Sequence, residues 1–331
     1  MKEFSFAQNF SIIALNAQNS LHLTTAKIVS LRCMAAAVML EKYLDKGFTK
    51  AGEVLTITTE DLQSAAIPTY QESVVKVILG KKETMSLTLP EYLRKVTKLS
   101  GKMLKEVEHG FAISLKEENA IEEIPALLGC DLEYVTAGIS MREYRSQTDL
   151  YRRIAESLRA ESLEEGNMTD EAILMLWLLR ESGCLYDLFS KIELKRVAER
   201  MIEMLDSSAL AKQIYPVIIH KSIETAVKNF LNMKKEVMST PTGSGINFIF
   251  PLIERSQSVF IDTEEYFANK EDRLRDVIAR LESQGHHYSV IRTGEVPLIK
   301  IDNVLYEAVP SAKQYPVPVH GVRLRKHPLS L

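Results

Sequence analysis

The stretch KIVSLRCMAAAVMLEKYL, Lys27–Leu44, decides the fold class. Met34, Ala37, Val38, Leu40 and Leu44 recur at helical spacing with small residues between them, so the predicted helix is apolar on most of its sides. Thr24-Thr25 supplies a cap before it and Gly47 a stop after it. A helix with so little polar surface is stable only when other helices surround it. The surrounding sequence supplies them: from about Leu21 to Lys235 apolar residues recur every three or four positions rather than alternating.

Working outward, Pro90 suits the first turn of a helix carrying Tyr92, Val96, Leu99, Met103 and Val107 on one stripe and closing near Gly110. Phe111–Leu115 then reads as a strand. Asp149–Leu163, Thr169–Glu181, Lys191–Leu205 and Tyr215–Lys235 read as further helices, with Thr169-Asp170-Glu171 a strong start signal. Glu53–Thr59 alternates and predicts a short strand in a small hairpin.

Composition changes to Ser, Thr, Pro and Gly near Lys234–Ser244, which places a linker at 236–250 between a helical domain, 1–235, and a small α+β domain, 251–331. In the latter, strands are predicted at Ser258–Ile261, His287–Ile291, Leu298–Ile301, Val304–Val309 and Gly321–Arg325. A helix over Thr263–Gln284 buries Leu274, Val277, Ile278 and Leu281, and Asp302-Asn303 signals a hairpin turn. The predicted fold is therefore mostly α, with short hairpins, followed by one helix on a small sheet.

The 331 residues are 46% hydrophobic and carry 41 Lys+Arg against 44 Asp+Glu, so overall charge gives no general grip on nucleic acid. No apolar run reaches the length of a membrane span, and Met1–Asn9 does not read as a secretory signal, so a cytoplasmic location is expected. Cys33, Cys130 and Cys184 lack CxxC partners and read as reduced core thiols.

No phosphate loop, dinucleotide fingerprint or nucleophile elbow is present: Gly80-Lys81-Lys82 lacks the upstream glycine, and Gly243-Ser244-Gly245 reads as linker. His286-His287 would point to opposite faces of a strand, and His320 and His327 lack ligand patterns, so no metal, no cofactor and no catalytic residue is expected. Glu117-Glu118, Glu122-Glu123 and Glu164-Glu165 read as solvated. A basic face does emerge: Arg94, Lys98, Lys102 and Lys105 recur at four, four and three residues with Lys95 beside them, a candidate anion or membrane-surface patch. Arg323 and Arg325 share one face of the last strand, read as a guarded edge strand with an anion site as the alternative.

Three stretches carry a resemblance: SLEEGNMTDEAILMLWLLRESGCLYDLFSKIELKRVAERM, Ser162–Met201, with Arg196 and Arg200 one turn apart; SIIALNAQ leading to LRCMAAAVMLEKYLDKGF; and LRKVTKLSGKMLKEVEHGF, Leu93–Phe111. In order and spacing these resemble the Golgi phosphoprotein 3 family, over roughly Phe10–Asp206. The resemblance implies a non-enzymatic helical domain on the cytosolic face of membranes, acting as an adaptor that binds phosphatidylinositol 4-phosphate. The family pocket combines a Trp and an Arg near the first long helix with two Arg on a later one. Here Trp177 lies in a different helix, Arg32 lies one turn before the position matching the first Arg, and the later pair falls near Val96 and Leu99, beside Arg94, Lys95 and Lys98. The C-terminal domain resembles small bacterial domains of uncharacterised function, which suggests a bacterial relative.

The expectation is a non-catalytic cytoplasmic adaptor or peripheral membrane protein. It would offer Arg94, Lys95, Lys98, Lys102 and Arg32 to anionic phospholipid headgroups, would also bind a protein partner, and would have Arg323 and Arg325 as secondary anion candidates. No nucleic-acid partner is expected. The rival is a nucleic-acid-binding or regulatory protein with winged-helix-like elements near Leu31–Thr59; an enzyme using His286, Arg323 and Arg325 ranks last.

Overall fold

A computed structural model describes residues 3–62, 67–220, 258–263 and 269–327. The chain has a helical N-terminal part and a C-terminal sheet region, with three small antiparallel sheets among the described residues. Its contacts divide it into two compact units that are not contiguous in sequence. One comprises Met1–Ala14, Thr24–Ala120 and Arg153–Pro251; the other comprises Leu15–Leu23, Ile121–Arg152 and Leu252–Leu331. The division expected at 1–235 and 251–331 is thus not the one the contacts make, and the expected linker at 236–250 lies outside the described residues.

The first unit is built around α2 (Thr25–Leu44), in which every residue from Cys33 to Lys42 is buried. Thr24 caps it by accepting the Lys27 N–H, a contact that stabilises a helix by about 1 kcal/mol. Around α2 pack α4 (Leu89–Val96), α5 (Gly101–Glu117) and α8 (Asp170–Ser182). The last is buried from Ala172 through Ser182, capped by Thr169, and terminated by Gly183 at φ 75°, where a β-carbon would be strained. The strands β2 (Thr49–Ala51), β3 (Val54–Thr58) and β4 (Thr84–Leu87) form a sheet in that order, and Leu55 and Ile57 alternate inward. Tyr92 ties α4 to this sheet by donating its hydroxyl to the carbonyls of Met85 (2.6 Å) and Leu55 (3.1 Å). The unit is completed by α1 (Phe6–Leu15), α3 (Thr69–Leu79), most of α7 (Thr148–Leu163), α9 (Leu185–Leu188), α10 (Lys191–Ser207) and α11 (Ala209–Ile214).

Three sequence expectations fail here. The helix expected over Tyr215–Lys235 does not begin at Tyr215, which is instead the C-cap of α11, and its positions from 221 on lie outside the described residues. The helix beginning at Pro90 does not run to Gly110: three successive i→i+3 bonds, Thr97 to Arg94, Lys98 to Lys95 and Leu99 to Val96, tighten and end it, and Ser100 caps a new helix. Nor is Phe111–Leu115 a strand, because Leu104, Val107, Phe111 and Leu115 form one buried stripe on the continuous α5. Gly110 is not a stop signal. It is the point where α5 meets α3, and a β-carbon there would lie 2.8 Å from that of Ser73.

In the second unit, β7 (Val259–Asp262), β8 (Tyr288–Arg292), β9 (Leu298–Ile301), β10 (Val304–Lys313) and β11 (Val319–Lys326) form an antiparallel sheet of order β7-β11-β10-β9-β8. The helix α12 (Lys270–Ser283) places Val277 and Leu281 in the same core as Ile299, Ile301, Val304 and Leu324. That core also takes Leu127 and Cys130, which lie on a 3-10 turn (Leu127–Cys130) far away in sequence. A second sheet, of order β1-β6-β5, joins β1 (Gln18–Asn19), β6 (Arg142–Ser146) and β5 (Ile121–Pro125), and α6 (Leu132–Thr136) follows the 3-10 turn. Glu122 therefore sits on a strand, where it pairs with Arg145 at 2.9 Å. The expectation of β11 as an edge strand is corrected, since it lies between β7 and β10. All three cysteines are free and buried. Among the described residues no helix is long and apolar enough to cross a membrane.

Candidate functional site

The cations singled out in the sequence are distributed over the corner where α4 gives way to α5. Arg94 and Lys95 end α4, Lys98 lies in the 3-10 turn, and Lys102 and Lys105 begin α5. They do not share the face of one helix, as the sequence suggested. The break is made by i→i+3 bonds, among them the Lys98 N–H to the Lys95 carbonyl at 3.0 Å. Arg94, Lys98, Lys102 and Lys105 are exposed and Lys95 is half-buried. None of these five side chains makes an ion pair among the described residues.

Exposed Glu106 directly follows Lys105 on α5, while on the α4 side the nearest acid, Glu91, is committed elsewhere. It accepts the N–H and hydroxyl of Thr88, each at 2.8 Å, in a capping box, and those bonds followed by the Arg94 charge lower its pKa. Arg32 joins the corner from α2, its Nη2 reaching the Leu99 carbonyl at 3.5 Å. The Leu99 carbonyl belongs to the α4–α5 turn, so the fold brings the half-buried Arg32 to the same corner as the lysines.

Other expected features have structural partners. Trp177 is fully buried and donates Nε1–H to the Val217 carbonyl at 3.1 Å. Arg196 and Arg200 donate to the carbonyls of Leu163 and Gly166, which end and follow α7. Arg323 donates to Ser258 Oγ at 2.8 Å and lies over the Phe260 ring at 5.6 Å, whereas Arg325 is exposed beyond the last β7 pair. A groove of about 550 Å³ in the first unit is lined by Phe4, Arg153, Leu158, Glu161, Glu171 and Met175 among others, and none of the corner cations lines it. Glu171 there has a raised pKa, through burial first and then through Glu161, Asp45 and Glu3.

A constellation the sequence reading missed lies in the second unit. Gly285, at φ 75°, ends α12 in a Schellman motif: its N–H reaches the Glu282 carbonyl and the His286 N–H reaches that of Leu281. This turns the His286 ring into the interior, where Nδ1 lies 2.5 Å from Asp302 Oδ2 and 4.0 Å from Glu143 Oε1. Asp302 and Asn303, at φ 45° and 72°, are the central residues of the β9–β10 hairpin turn. Asp302 Oδ1 accepts the His287 N–H at 3.0 Å and Arg145 Nη1 at 3.2 Å. Arg145 shares a face of β6 with Glu143 and also donates to the Gly285 carbonyl at 2.7 Å. Beside them, Asn16 donates to the Asp302 carbonyl and accepts from Ser146 N–H and Asn303 Nδ2. Glu143 is pushed up to about 8 by burial and by the Asp302 charge, against the Leu127 N–H, Lys326 and Arg145, which lower it.

In the sequence, His286 read as an ordinary strand-entry residue and Asp302 as a turn former. The one available signal was Gly285 directly before His286, because a C-terminal glycine redirects the chain inward. No family model, no curated protein and no solved structure matches this chain.

Proposed function

We propose that the helical unit is a non-catalytic adaptor, peripheral to the inner face of a membrane, which holds anionic phospholipid headgroups on the α4–α5 corner. The observation that carries this reading is the set Arg94, Lys95, Lys98, Lys102 and Lys105, free of ion pairs among the described residues and joined by Arg32. Cations already paired with carboxylates gain little from a phosphate. Unpaired ones each add about 1 kcal/mol near an anionic surface, and that gain fades as salt screens it. The resemblance of Leu93–Phe111 to the Golgi phosphoprotein 3 family supports the same place on the chain, and a protein partner held at the membrane is what an adaptor requires.

The test is co-sedimentation of the full chain with vesicles of phosphatidylcholine alone, with phosphatidylglycerol, and with phosphatidylinositol 4-phosphate, at low and high salt. Salt-sensitive binding to the anionic vesicles, lost on charge reversal of Lys95, Lys98 and Lys102, is the expected result. Binding that survives the reversal would place the lipid site elsewhere. A salt-sensitive shift of duplex DNA by the same chain, with no vesicle binding, would replace this reading with the nucleic-acid one.

A further inference from the structure

We infer that the second unit holds a divalent metal ion of the zinc or manganese type on His286, Glu143 and Asp302. Their donor atoms lie within 4.8 Å of one another, and all three residues are buried. Four ligands at about 2.1 Å from an ion lie about 3.4 Å apart, so this spacing needs only small side-chain adjustments. One imidazole and two carboxylates form a mixed nitrogen and oxygen set, which suits zinc, manganese or ferrous iron better than calcium or cuprous copper.

The surroundings are those of oriented ligands rather than of a chance encounter of acids. Asp302 has one oxygen fixed by Arg145 and the His287 N–H, which leaves the other facing His286. The Glu143 carboxylate is held by the Leu127 N–H. Outer contacts of this kind fix ligand geometry in metal sites. The charge is also uneven: two buried carboxylates face one guanidinium, and that guanidinium is shared with Glu122. A bound cation would balance the two carboxylates in their ligating, deprotonated form.

The His286 ring is fully buried and presents Nδ1 to both carboxylates, whereas Nε2 and Asn303 Oδ1, which have no hydrogen-bond partner among the described residues, are not members of the donor set. Because the ligands come from β6, the end of α12 and the β9–β10 turn, the ion would fasten sequence-distant segments of this unit together, which is a structural rather than a catalytic role.

The test is metal uptake by the chelator-stripped full-length protein, measured by equilibrium dialysis against Zn²⁺, Mn²⁺ and Co²⁺ with elemental counting. The expected result is about one ion per chain, with affinity reduced at least about tenfold by His286→Gln and by Glu143→Gln in variants that keep the wild-type circular dichroism. Wild-type protein that takes up no metal from about 100 μM free ion overturns the proposal, and so do folded variants that bind as the wild type does. If a variant does not fold, X-ray absorption of the loaded wild type decides. One imidazole among oxygen ligands supports the site, and a sulfur-bearing or imidazole-free sphere overturns it.

Discussion

Gly110 of α5 faces Ser73 of α3 so closely that a β-carbon on Gly110 would lie 2.8 Å from the Ser73 β-carbon and 3.2 Å from the Thr69 carbonyl oxygen. In an exposed helix, replacing glycine by alanine stabilises by about 1 kcal/mol. Here the methyl overlaps a neighbouring helix, and overpacking costs about 1–3 kcal/mol. Gly110→Ala should therefore lower stability, in urea unfolding followed through the fluorescence of buried Trp177. A gain in stability would mean that the two helices have room to part.

Glu181 is completely buried, accepts from Arg180 and the Ile219 N–H, and lies 2.8 Å from His220 Nδ1. Burial alone would raise its pKa, but the Arg180 charge, the His220 bond and charge, and the Ile219 N–H override it and hold the group at about 2. A carboxyl depressed in the folded state contributes stability that is present above its unfolded value of about 4.3 and lost as pH falls toward 2. Acid titration of the wild type should show that loss, and Glu181→Gln should flatten it. The same variant leaves Arg180 buried with its ion pair broken, so at neutral pH it should be destabilised by about 3–5 kcal/mol.

At the α4–α5 corner the single reversals Lys98→Glu and Lys102→Glu should each weaken binding to phosphatidylglycerol vesicles by at least about fivefold, since each removes a contribution of about 1 kcal/mol and adds a repulsion. The effect should shrink as the Debye length falls below about 10 Å above 0.1 M salt. Reversal of Arg325, exposed on β11 in the other unit, serves as the control and should leave binding unchanged. Equal losses at all three positions would show that net charge, rather than the corner, sets affinity.

Asn303 occupies a hairpin position at φ 72°, where glycine is normally the better residue. Its amide also donates to Asn16 Oδ1 at 3.1 Å and to the Ser146 carbonyl at 2.9 Å, both buried. Two lost bonds outweigh the backbone relief, and Asn303→Gly should cost about 1–3 kcal/mol. Thermal unfolding of the variant measures it; a rise in midpoint would show that the amide contributes nothing.

Part of the candidate corner was legible in the residues. Arg94, Lys95, Lys98 and Lys102 stand out by charge, but their spacing was read on one continuous helix, because the cap supplied by Ser100 lay unnoticed inside an otherwise helical stripe. Arg32 could be aligned with the corner only through the resemblance, because its approach to Leu99 is a contact across 67 positions. The buried group of the second unit was hardly legible. Glu143, His286 and Asp302 are separated by more than a hundred residues at one step, and no periodicity reports such a meeting.

By itself the sequence determined the local structure. The apolar spacing of Lys27–Leu44, the caps at Thr24 and Thr169, the alternation of β3 and the Asp302-Asn303 turn are set by neighbours a few residues apart, where periodicity and backbone preference act directly. Only the tertiary structure decided that residues 15–23 and 121–152 join residues 252–331 in one unit, with Leu127 and Cys130 in its apolar core and Asn16 and Ser146 bonded to Asn303. Each segment alone leaves apolar area or polar groups unmet, and which partner satisfies them depends on the whole chain packing at once.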